Sequence, residues 1–235
     1  MNIINNKTEI SNELERIANR INLENNEQIN ATVKKILEDV KNKGDEALRE
    51  YTLKFDGFNP NPLKVSKKEI EKAWTTTTKP LQEALKNAKR RIEKFHEKEI
   101  PKSFSIEGIF GEDVQRKWLP VQRAGLYIPG GRASYPSTVL MNAIPAKVAG
   151  VKEIIMVSPA NAEGEINKTV LAAAHICGIE NIFKIGGAQA IAALAFGTKQ
   201  INKVDVISGP GNIFVTTAKK LIFGSTGIDS LAGPS

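Results

Sequence analysis

Through the first half of the chain, apolar residues recur every three or four positions; through the second half they come in unbroken runs of four or five. The first pattern is that of amphipathic helices with one buried stripe. Ile29, Val33, Ile36, Leu37 and Val40 form such a stripe, and Gly44 stops it. Asp45 is placed to cap a short helix carrying Ala47, Leu48 and Tyr51. Ser66, with Glu69 three residues on, has the capping-box form and opens a helix over 67–74. Pro80 stands near the start of a long helix through Leu81, Leu85, Ala88, Ile92 and Phe95, with His96 on its flank. Residues 103–121 alternate around a break at Gly111, which predicts a β-ribbon.

The second pattern is that of buried strands. AGLYI (124–128), EIIMV (153–157), NIFKI (181–185) and VDVI (204–207) are short, mostly apolar strands, and GIDS (227–230) is a candidate fifth. Between them the pattern predicts helices over 137–148, 165–177, 188–196 and 212–223, the first three each followed by glycine: Gly150, Gly178 and Gly197. Strand and helix thus alternate with short loops, and the strands carry no polar face. A parallel sheet covered on both sides satisfies that arrangement. The expected fold is α/β: a Rossmann-like, doubly wound domain over 127–235, preceded by a helix-rich region.

Charge supports the same division. Of the 59 Lys, Arg, Asp and Glu residues, 44 precede residue 127, whereas 13 of the 18 glycines follow it. The net charge of +7 is shared between the halves, +4 and +3, and gathers in no stripe, so a nucleic-acid surface is not expected. No stretch of 18 uncharged apolar residues exists and the first residues hold no apolar leader, which predicts a cytoplasmic protein with no membrane span. One cysteine, Cys177, and two histidines, His96 and His175, offer neither a disulfide framework nor a His- or Cys-rich metal site.

Candidate chemistry lies in the loops. In a doubly wound sheet, ligands bind beyond the carboxyl ends of the strands. Three of those ends are glycine-bearing, at IPGG (128–131), IGGAQ (185–189) and SGPGN (208–212), and each leads into a helix N-terminus. Tyr127, Gln189 and Asn212 stand at the same ends. A single such loop reads better as a tight turn that needs glycine; three that converge point to a phosphate-bearing or nucleotide-like ligand. The G-x-G-x-x-G fingerprint is absent, so the loops define a ligand class and no particular cofactor. Cys177 sits at an apolar helix end and reads as a buried, inert thiol; His96 lies on a charged face, and Asp205 and Asp229 have no partner visible in the sequence. No residue stands out as a catalytic group.

Five segments, RAGLYIPGG (123–131), STVLMNAIPA (137–146), GGAQAIAALAFGT (186–198), KVDVISGPGN (203–212) and AGPS (232–235), closely resemble histidinol dehydrogenases in order and spacing. The resemblance implies oxidation of L-histidinol to L-histidine in two NAD-dependent steps through histidinal, ending histidine biosynthesis, with one zinc ion per site in a homodimer. It implies NAD-binding roles for Tyr127, Gln189 and Asn212 and a substrate contact for Ser235. It further implies a helical arm over 1–23, the first part of a discontinuous, here incomplete α/β domain over 24–126, and the NAD-binding domain over 127–235. The family's zinc ligands and its Glu–His acid/base pair are expected beyond residue 235, so the chain is expected to be inactive alone. A nucleotide-binding or dimer-partner module without turnover is the alternative. A different dehydrogenase acting through a reactive Cys177 thiol is a third reading.

Overall fold

The apolar runs of the second half become a single parallel sheet. The structure is a computed structural model and describes residues 6–18, 27–130 and 134–231. Strands β3 (Arg123–Tyr127), β4 (Glu153–Val157), β5 (Asn181–Phe183), β6 (Val206–Ser208) and β7 (Gly227–Ile228) lie in the order β5-β4-β3-β6-β7, every neighbouring pair parallel. The order reverses at β3, which puts a switch point between β3 and β6, where doubly wound folds bind ligands.

Period-two alternation divides the sheet's side chains between two cores. Leu126, Ile128, Ile154, Met156 and Ile182 pack on one side with α6 (Pro136–Val148) and α7 (Lys168–Ile176). Tyr127, Ile155, Val157 and Phe183 pack on the other with α8 (Gly187–Phe196) and α9 (Ile213–Ile222). Burial on both faces is why these strands read as continuous apolar runs.

The helices of the first half cover those of the second. α2 (Glu27–Lys43) lies on α8 and α9 through Val33, Ile36, Leu37 and Val40, and α3 (Asp45–Asp56) lies on α8. α4 (Lys67–Thr75) packs on α7, and α5 (Lys79–His96) on α6. Further toward the N-terminus, α1 spans Lys7–Ala18. The predicted ribbon is present: β1 (Phe104–Glu107) pairs antiparallel with β2 (Asp113–Arg116). Among the described residues no helix is long and apolar enough to cross a membrane.

The caps follow the sequence with two exceptions. Ser66 and Glu69 form the expected box: the Ser66 N–H donates to Glu69 Oε2 at 2.9 Å and the Glu69 N–H to Ser66 Oγ at 3.2 Å. The S66A variant should unfold about 1 kcal/mol more easily in urea, and S66G by only a few tenths, because glycine keeps the cap conformation. Asp45 does not cap. Gly44 occupies that position, and the buried Asp45 instead accepts a hydrogen bond from Gln200 Nε2 at 3.0 Å. The helix predicted from residue 165 starts at Lys168, because Asn167 caps it by accepting from the Thr169 N–H.

Candidate functional site

At the carboxyl end of the sheet, on the α8–α9 side, lies a cavity of about 370 Å³, within the range of small-molecule sites. Tyr127 faces it because alternation along β3 turns that side chain toward α8. The ring is buried, and its hydroxyl accepts the Gly187 N–H at 3.1 Å, so the phenolic proton is available to a ligand. Burial pushes the Tyr127 phenol up to about 12, the Gly187 hydrogen bond opposes that rise, and the charge of Asp56 adds to it, so at neutral pH it is a donor. Gln189, in the first turn of α8, is 1% exposed, and its Oε1 is buried without a hydrogen-bond partner. Gly187 permits this: its φ is +61°, and a Cβ there would stand 2.6 Å from Gln189 Oε1. Asn212 caps α9, its Oδ1 accepting the Phe214 and Val215 N–H groups at 3.1 Å each. Its amide nitrogen has no partner among the described residues.

Tyr127 and Gln189, which the sequence places at the strand ends, are buried walls of the cavity. The remaining wall comes from the first half of the chain. Ile36 of α2 and Phe55 and Asp56 at the end of α3 line the cavity together with Phe214. The Asp56 Oδ2 is buried and unpartnered. Burial alone pushes its carboxyl from 3.8 up to about 6, and Tyr127 is the titratable group that faces it. The folded chain thus holds this proton more tightly than the unfolded chain. Asp56 contributes a loss of stability as pH rises from about 4 to about 6, and the loss persists at neutral pH.

Buried charge fixes the loop that carries Asn212. Lys219 of α9 is 3% exposed; its ammonium donates to the Gly209 carbonyl at 3.0 Å and pairs with the Asp229 carboxylate. Asp229 also accepts the Gly209 N–H at 2.8 Å. Burial would raise the Asp229 carboxyl, but the bonds from Lys219, Gly209 and Ser230 outweigh it and hold the group below its ordinary value. A second cavity of about 690 Å³ lies between α4 and the start of α7 and shares Pro129, Gly130 and Pro159 with the first.

The family model described as histidinol dehydrogenase matches residues 19–235. A histidinol dehydrogenase of Prochlorococcus marinus (strain MIT 9312) is 67% identical over 235 residues, all of this chain and 53% of that protein. One from Synechococcus sp. is 51% identical over 237 residues, covering 55% of its length. The crystal structure of histidinol dehydrogenase from Elizabethkingia anophelis superposes with a TM-score of 0.84 at 43% identity, over 87% of this chain and 48% of that one. The chain belongs to the histidinol dehydrogenase family. It spans about half the length of the curated relatives it matches.

Of the four site residues that the likeness to histidinol dehydrogenases implies, Tyr127, Gln189 and Asn212 share the smaller cavity, and Ser235 lies outside the described residues. Ile36, Phe55, Asp56 and Phe214 were missed from the sequence. One signal was available for Asp56: a carboxylate in the last turn of a helix opposes the helix dipole, a placement that folding does not favour. Among the described residues no three His, Cys, Asp or Glu side chains gather where they could hold a metal ion, so the zinc associated with histidinol dehydrogenases finds no ligand set there. Cys177 is buried, and burial raises its thiol to about 11, which removes the basis for a thiolate-dependent dehydrogenase. His175 stacks on Trp74 with ring centroids 5.6 Å apart, and His96 meets Glu99 beyond the end of α5, away from either cavity that Tyr127 or Pro129 borders.

Proposed function

We propose that this chain carries the NAD-binding part of a histidinol dehydrogenase, which oxidises L-histidinol to L-histidine through histidinal. The reading is carried by one observation. Side chains from three strand ends and loops up to 85 positions apart border one cavity, and Gln189 Oε1 is buried there with no hydrogen-bond partner among the described residues. A buried acceptor left unpaired is costly unless a ligand satisfies it. In this reading Gln189 accepts an N–H or O–H of NAD, while the Tyr127 hydroxyl and the Asn212 amide donate to it. Phe55 and Phe214 flank its rings. The N-termini of α8 and α9 favour its phosphates, and the neighbouring larger cavity gives it room to extend past Pro159. Bound NAD supplies the hydride acceptor; the protein's share is to bind and orient it.

The family's zinc and acid/base pair have no counterparts at this cavity, so the chain is proposed to bind cofactor without turning over histidinol. A cytoplasmic homodimer completes the reading. Its support is the apolar surface of the ribbon region, where Ile106 and Val114 face each other across the strands and Ile109 and Phe110 are 91% and 89% exposed.

Calorimetric titration of the 235-residue chain with NAD tests the proposal. Saturable binding is expected, together with no NADH formation on adding histidinol and zinc. The N212D variant keeps the helix cap but puts a charged acceptor where the amide donor stood, so it should unfold no more easily than the parent while binding NAD at least tenfold more weakly, about 1.4 kcal/mol. Equal affinity in N212D would remove Asn212 from the site.

A further inference from the structure

Asp56 is a puzzle if only folding is considered. It occupies the last position of α3, followed by Gly57 in the left-handed conformation that ends the helix. The carbonyls exposed at a helix C-terminus repel a carboxylate. Among the described residues nothing offsets this: Asp56 Oδ2 is buried without a hydrogen bond, and burial is the one influence on its carboxyl, with no cation lowering it. Surface aspartates escape such positions by turning to solvent, whereas this one turns into the cavity that holds Tyr127, Gln189 and Asn212. An arrangement that destabilises the fold and points an orphaned acceptor at a ligand site is the signature of a group kept for binding.

The donors and acceptors around the cavity define what it takes. Tyr127 and Asn212 offer protons; Gln189 Oε1 and Asp56 Oδ2 are both unpaired acceptors. An ionised carboxylate beside apolar rings suits a pair of neighbouring hydroxyls, which can donate to it together and satisfy its oxygens with charge-assisted hydrogen bonds. It repels a phosphate. We infer that Asp56 accepts the 2′- and 3′-hydroxyls of a ribose in the bound nucleotide. The inference rests on the nucleotide-binding reading above and adds to it a specificity-determining residue supplied by the first half of the chain.

The test separates the two. NAD, AMP and nicotinamide mononucleotide are titrated into wild type and D56N, and thermal unfolding is recorded for both at pH 7. D56N should melt higher, since the buried charge is gone, yet bind NAD about tenfold more weakly. Whichever mononucleotide weakens in parallel identifies the ribose. The 2′,3′-dideoxy form of that mononucleotide should bind wild type about tenfold more weakly than its parent, and D56N no more weakly than D56N binds the parent. Were the responding ribose that of adenosine, NADP would bind wild type more weakly than NAD, and D56N would narrow the gap. The inference is overturned if D56N binds NAD with the wild-type affinity, or if loss of the hydroxyls weakens both proteins by the same factor. Failure of wild type to bind NAD at all would instead overturn the broader reading, and the two results cannot be confused.

Discussion

Adding one methyl group at Gly209 should cost about 4 kcal/mol of stability, the largest effect expected from any change of that size in the ligand-facing loops. Two terms combine. The φ of Gly209 is +121°, where L side chains are strained, at about 1–3 kcal/mol. A Cβ there would also stand 2.1 Å from the carbonyl oxygen of Tyr127 and 3.0 Å from its carbonyl carbon. These are backbone atoms of the central strand β3, which is hydrogen-bonded to β4 on one side and β6 on the other, so they cannot step aside. Overpacking of that kind adds about 1–3 kcal/mol. Gly224 provides the control. Its φ is +95°, but nothing lies within 4 Å of its Cβ position, so G224A carries strain alone. Urea denaturation of the two variants should therefore give clearly unequal losses. Equal losses would mean that β3 yields to the methyl group and that close approach of the 208–212 loop to Tyr127 is unimportant.

What the sequence made legible, and what it did not, follows from the range of each interaction. The Ser66–Glu69 box is a contact between residues three apart, and it is present as read. The strands were legible because burial on both faces confines polar residues to their ends, as with Arg123, Glu153, Asn181 and Ser208, and the convergence of the loops follows from strand order in a parallel sheet. Asp45 was misread because a nearby glycine and a distant Gln200 compete for the roles that local pattern assigns to it. Asp56 carried only the signal of its helix-end position and Phe55 none, since nothing in α3 announces that its end will line a cavity with α8 and α9. The half-buried charges belong to the same class. Asp229 looked solitary because its partner Lys219 reads as one of two ordinary lysines near a helix end, KK at 219–220, and only folding shows that the first turns inward while the second stays exposed.

That inward lysine carries the second large prediction. In K219M the Asp229 carboxylate loses its counter-ion while remaining partly buried, still accepting the Gly209 N–H. Removing one partner of a buried pair typically costs about 3–5 kcal/mol; because the Asp229 side chain is 33% exposed, water recovers part of that, and a loss of about 2–3 kcal/mol is expected here. The pH dependence identifies the cause. Asp229 is held below its ordinary value in the folded chain, so it contributes stability at neutral pH that is lost as pH falls through the acidic carboxylate range. In K219M that contribution disappears, and the difference between variant and parent should shrink on acidification, as followed by urea denaturation at pH 7 and at about pH 3. The double variant K219M/D229N removes the stranded charge and should recover much of the loss at pH 7, since the uncompensated carboxylate, and not the missing ammonium, is the costly element. If the double variant is no more stable than K219M, then lost packing of the lysine stem around Gly209 dominates. In that case the loop that presents Asn212 is held by shape, and weakening of NAD binding should track K219M and the double variant equally.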